Sequence, residues 1–161
     1  MTFRFTPIML AVSIIAALRI PAFADESKRQ VEVEQKSEHV MPFDMNATMH
    51  SFVPTRDGGV QTVLVHNGDA KQVALVRTHL HKEAAAFARG EFTDPAAIHG
   101  GAMPGLHALH AGAKSIRIRY TEVPNGAAIS YHSAEPKLVS AIHAWFSAQR
   151  NDHGAHAGMK M

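Results

Sequence analysis

The chain carries one pattern twice: two β-prone runs joined by a turn signal, followed by an amphipathic helical run. In the first copy ATMHSFV and VQTVLVH flank PTRDGG, whose Asp57-Gly58 is expected to supply the positive-φ residues of a hairpin loop. This predicts strands over 47–53 and 60–66. In the second copy KSIRIRYTEV and AAISYH flank Pro124-Asn125-Gly126, another hairpin signal. Ile116, Ile118 and Tyr120 alternate there with Arg117 and Arg119, so one face of the strand should be buried and the other wet.

Each hairpin is followed by a helix with one apolar seam. Asp69 caps the first, Gln72 three residues on completes a capping-box pattern, and Gly90 stands where the helix should stop. Val73, Val76, Leu80, Ala84 and Phe87 recur every three or four residues along it. The second helix is predicted over 135–149, with Pro136 in its first turn and Leu138, Val139, Ile142, Trp145, Phe146 and Gln149 inside. Between the halves, EFTDPAAIHGG and AMPGLHALHAG read as two short helical turns, each opened by proline and closed by glycine. The fold expected is α+β and two-layer: a four-stranded antiparallel sheet with two main helices on one face, ββα-ββα. The alternative is ferredoxin-like, with the strand before residue 54 irregular.

A chain of 161 residues holds one domain with a real core. Residues 1–24 combine Arg4, an apolar run from Ile8 to Leu18 and Ala22-Phe23-Ala24, the pattern of a cleaved signal peptide. The expected address is therefore periplasmic or secreted, with no membrane span after cleavage. Residues 25–46 are charged and poor in large apolar side chains, which predicts a flexible leader. The domain is expected over 47–150, with 151–161 as a flexible His/Met tail. Removal of Arg4 and Arg19 with the signal leaves Lys+Arg and Asp+Glu balanced at 14 each. Such a chain lacks the cationic surplus that nucleic-acid binding needs. It has no cysteine, so thiolate metal sites and disulfides are excluded.

Twelve histidines follow the signal, and neutral imidazole is the commonest metal ligand. His79 and His81 are two apart on the first helix and point away from each other, whereas His79 and Glu83 stand one turn apart. His143 lies beside the last helix's seam next to Trp145. In the connector, Met103, His107 and His110 have helical spacing, with His99 on the turn before. The tail adds His153, His156, Met159 and Met161; the leader and the segment after it add His39, Met41, Met45, Met49 and His50. Imidazole with thioether is a borderline-soft donor set, suited to copper. No nucleophile elbow or phosphate-cradling glycine loop is present.

The stretch THLHKEAAAFARGEFTDPAAIHGGAMPGLHALHAG, with AIHAWFSAQRNDHG after it, resembles a family of small exported bacterial proteins of unsettled function. Some members are labelled aspartate carbamoyltransferase. The resemblance spans about Met45 to Gly154, and the pattern it implies falls on His79, His99, Met103, His143 and His153, leaving His107 and His110 open. The function expected is a periplasmic binding protein for copper, another borderline metal or haem, with these five residues as the candidate ligands. A dimeric interaction module of the cell envelope is the second expectation. Carbamoyl transfer, which the family label implies, is the third; the chain has no S-T-R-T-R phosphate loop.

Overall fold

The computed structural model describes the backbone of residues 22–154 and the side chains of 28–154. In chain order the elements are α1 (Ala22–Val40), a 3-10 turn (Met45–Ala47), β1 (Thr48–Thr55), β2 (Gly58–Val65), α2 (Ala70–Ala88), α3 (Thr93–His99), α4 (Leu106–Ala111), a second 3-10 turn (Ala113–Ser115), β3 (Arg117–Val123), β4 (Gly126–His132) and α5 (Pro136–His153). The four strands form one antiparallel sheet in the order β1-β2-β4-β3. The ββα-ββα reading stands. The ferredoxin-like alternative falls, because β1 pairs with β2 over its full length, from Thr48↔Val65 to Thr55↔Gly58.

The two hairpins meet through β2 and β4, with Val63 opposite Ala127 and Gln61 opposite Ile129. Paired residues point to the same face, so His50, Phe52, Val63, Val65, Ala127, Ile129 and Tyr131 line a common inner surface. Each helix packs on the hairpin that did not precede it: α2 covers β3 and β4, and α5 covers β1 and β2. The halves are thereby interleaved around one core. Trp145, with no exposed surface, sits at its centre with Phe87, Phe92, Tyr131 and Phe146 around it.

Several expectations need correction. The first hairpin turns at Arg56-Asp57, one residue earlier than expected, while Asn125 adopts the positive φ (58°) of the second. Asp69 does cap α2, accepting from the Gln72 amide at 2.9 Å. The box is not closed, however, because the Gln72 side chain accepts from the Asp44 amide and ties the helix start to the segment before β1. Pro95 is the third residue of α3 and Pro104 precedes the cap of α4, so neither proline opens its helix.

The leader is helical where it is described: residues 28–40 belong to α1, which packs on α3 and α5. Among its described side chains the buried strip is only Val33 and Ser37, one turn apart, too thin to register as an apolar seam. Polar links add to the attachment: Arg29 pairs with Asp152, and Gln30 donates to the Asn151 carbonyl. At the other end, α5 continues through Asn151, Asp152 and His153, and the last two are buried. The expected tail therefore begins inside the helix. Residues 1–21 of the expected signal, and His156, Met159 and Met161 of the tail, lie outside the described residues. No helix among the described residues is long and apolar enough to cross a membrane.

Candidate metal centre

The inner face of α2 is apolar except at two positions one turn apart. His79 and Glu83 occupy core-facing places beside Val76, Leu80, Ala84 and Phe87, and each is only 7 % exposed. Gly90, with φ 83° and its amide bonded to the Phe87 carbonyl, stops the helix and turns the chain. The turn brings Asp94, the second residue of α3, back against α2. One ligand atom from each of His79, Glu83 and Asp94 lies within 4.8 Å of the other two.

Electrostatics make this a strained group of charges. Burial pushes the Glu83 carboxyl up to about 7, reinforced by the negative charge of Asp94 and a carboxyl–carboxylate hydrogen bond to it, against the opposing charge of Lys82. Burial lowers the pKa of His79, so its imidazole is neutral and offers a lone pair, with Asp94 opposing that shift and Lys82 adding to it. A buried Glu83 carboxyl beside a neutral imidazole and the half-buried Asp94 can release its proton to a cation.

A cavity of ≈ 40 Å³ adjoins His79 and Glu83. Phe43, Phe52, Val63, Leu80 and Phe87 give it apolar walls, and His50, His153, Trp145 and Gln149 also line it. Trp145 Nε1 and Gln149 Oε1 are buried there without a hydrogen-bond partner. Phe43 packs its ring edge-on to His79, with centroids 5.6 Å apart.

A second polar network lies behind the cavity. His99 Nδ1 is 2.8 Å from Asp152 Oδ2, and Arg29 donates to both carboxylate oxygens of Asp152 and to the His99 carbonyl. Burial works against ionisation of Asp152, but the hydrogen bonds from Arg29 and His99 prevail and hold its pKa below the ordinary value. Burial likewise lowers the pKa of His99 in spite of Asp152. The consistent state is a neutral His99 donating Nδ1–H to a carboxylate, the orientation metal-ligating histidines take from their carboxylate partners. The His153 ring stands edge-on to His99 at 5.0 Å and stacked on His50 at 5.1 Å.

No protein-family pattern matches the chain, and no curated protein or solved structure is significantly similar to it. The chemistry has to be read from the geometry.

Of the five sequence candidates, His79 belongs to the three-residue group. His153 lines the cavity that His79 and Glu83 also line, and the His99 ring meets that of His153. Met103 is buried in the hydrophobic core. His143 Nε2 is 2.9 Å from the carbonyls of both Thr55 and Gly58, so it fastens α5 to the first hairpin turn. His110 Nδ1 contacts the Gly90 carbonyl and His107 is exposed. His81 points away from His79, as the helical spacing requires, and meets the Tyr120 ring.

Glu83, Asp94 and His50 are not among the five sequence candidates, although the sequence sets Glu83 one turn from His79 and His50 among the histidines after the leader. Glu83 had a legible signal, a carboxylate in the apolar seam at the same angular position as Val76, Leu80 and Phe87. His50 shares the strand parity of Phe52, which places it inside. Asp94 had no such signal, because its position depends on how tightly the chain folds back after Gly90.

Proposed function

We propose that this is an exported binding protein for a borderline divalent transition-metal ion, held by His79, Glu83 and Asp94. The observation that supports it is the mutual approach of three ligand atoms to within 4.8 Å at a largely buried position. Metal–ligand bonds of roughly 2.0–2.2 Å put ligand atoms about 3.5 Å apart, so an ion requires inward shifts of about 1 Å, within reach of side-chain rotation. Placing the buried Glu83 carboxyl beside the half-buried Asp94 without a cation is unfavourable, and a divalent ion offsets their charge.

One imidazole and two carboxylates form a nitrogen and oxygen set, suited to Zn(II), Mn(II), Fe(II) and Cu(II). Copper remains among the ions proposed, as Cu(II); Cu(I) favours thioether, and Met103 is committed to the core. A bare ion fits better than haem, because a cavity of ≈ 40 Å³ has no room for a macrocycle. Export follows from the signal-peptide pattern and is part of the proposal.

The test is calorimetric titration of metal-free protein with Zn(II), Mn(II) and Cu(II). At least one is expected to bind with Kd tighter than about 10 μM, a binding free energy near 7 kcal/mol. Weaker binding of all three removes the proposal. So does tight binding that persists in both His79→Ala and Glu83→Gln.

A further inference from the structure

We infer that an ion at this centre keeps one exchangeable position, directed into the adjoining cavity, that takes water or, in its place, an anion of two or three heavy atoms. The inference rests on the metal-binding proposal and deepens it by naming what the site does beyond holding the ion. Three observations carry it.

The protein supplies three ligand groups. Among the described residues no other histidine or carboxylate joins His79, Glu83 and Asp94 within the same 4.8 Å limit. Sites that only stabilise a fold are closed by four protein ligands, whereas sites that exchange a ligand have three and leave a position open.

The open side has a shape. His79 and Glu83 both line the ≈ 40 Å³ cavity. At roughly 10–15 Å³ for each water centre, it holds about three waters or one small ligand. Phe43, Phe52, Val63, Leu80 and Phe87 close it to anything larger.

The cavity also has unmet polar groups. Trp145 is fully buried and Gln149 is 4 % exposed, both line the cavity, and Trp145 Nε1 and Gln149 Oε1 have no partner. Leaving a buried donor and a buried acceptor unsatisfied is costly, so the pair is explained if something between them is bound. Trp145 Nε1 donates to a ligand oxygen or nitrogen; Gln149 Oε1 accepts a hydrogen bond from a ligand such as water. Neither side chain is needed to hold the ion itself.

The probe is azide, added to the Cu(II)-loaded protein and followed by the charge-transfer absorption of a copper–azide pair. Copper affinity is measured separately by calorimetry. A saturable azide signal is expected in the wild type. In Trp145→Phe it should weaken by roughly 5-fold, the loss of one hydrogen bond, with copper affinity unchanged. Val63→Leu keeps every ligand and polar group but fills much of the cavity, so it should abolish the azide signal while still binding copper; this variant decides the matter if Trp145→Phe does not fold.

If copper binds and azide at up to about 100 mM gives no signal, the inference is overturned and the metal proposal stands. Unchanged azide affinity in Val63→Leu overturns it equally. If Cu(II), Zn(II) and Mn(II) all fail to bind, both fall together.

Discussion

The Nδ1 of His99 lies 2.8 Å from the Oδ2 of Asp152, joining the last residue of α3 to the penultimate residue of α5 across 53 positions of sequence. Arg29 Nε and Nη2 reach the same carboxylate at 2.8 and 2.6 Å. One aspartate therefore ties together α1, α3 and α5, and α3 also carries Asp94 of the candidate metal centre.

Removing that aspartate should loosen all three. Asp152→Ala leaves His99 buried without its acceptor and Arg29 without its anion, and is expected to cost about 2–4 kcal/mol in urea unfolding. Arg29→Met should cost less, about 1 kcal/mol, because its side chain is 45 % exposed and the pair is screened on that side. Faster amide exchange in α1 should accompany both. Equal stability of Asp152→Ala and the wild type would contradict this account.

The two helix histidines divide into a ligand and a fastener. His79→Ala is expected to weaken metal binding by about 100-fold or more, beyond the 10–100-fold typical for losing a supporting group. His143→Ala should leave metal affinity unchanged and cost about 1–2 kcal/mol of stability, since it removes only the link to the Thr55 and Gly58 carbonyls. Calorimetry and melting of the two variants side by side check the division.

Acidity should act on the centre through Glu83. Its folded pKa of about 7 lies above the ordinary 4.5, so its contribution to stability is complete below about pH 4.5 and is lost as pH rises through about 7. His79 runs the other way: its lowered pKa gives a contribution present above about pH 6.5 and lost as pH falls. Glu83→Gln removes only the first effect, so metal-free Glu83→Gln should gain stability relative to the wild type between about pH 5 and pH 8. The metal ion replaces a proton, so wild-type affinity should rise with pH up to about 7. A stability difference between variant and wild type that stays constant over this range would refute the assignment.

Gly105 is a test of the packing that holds the connector. It adopts φ 81°, and a Cβ there would collide with the Ala141 carbonyl of α5. Gly105→Ala should cost more than about 2 kcal/mol, combining the penalty of a left-handed non-glycine residue with separation of α4 from α5. Gly101→Ala, where a Cβ meets nothing within 4 Å, is the control and should be close to neutral. Thermal melts of the pair give the comparison.

Local sequence was enough for the sheet and the two long helices. Alternation in RIRY, the apolar seam from Val73 to Phe87, the Asp69 cap and the Gly90 stop depend on neighbours within a turn or a hairpin, and each appears in the structure. α1 was missed because its attachment is not periodic: Val33, Ser37 and an arginine whose partner lies 123 residues away. His143 and Met103 show the converse limit. The resemblance and side-chain type marked both as ligands, but neither says what a folded chain places opposite them.

The sequence by itself determined the α+β class, the antiparallel hairpins and the positions of α2 and α5, since hydrophobic periodicity and turn chemistry act over a few residues. Tertiary structure alone decided that α2 and α5 exchange hairpins, that Asp94 returns against Glu83 and His79, and that His99 meets Asp152. Those juxtapositions are set by how two apolar helix faces share one sheet, a long-range packing solution with no short-range signature.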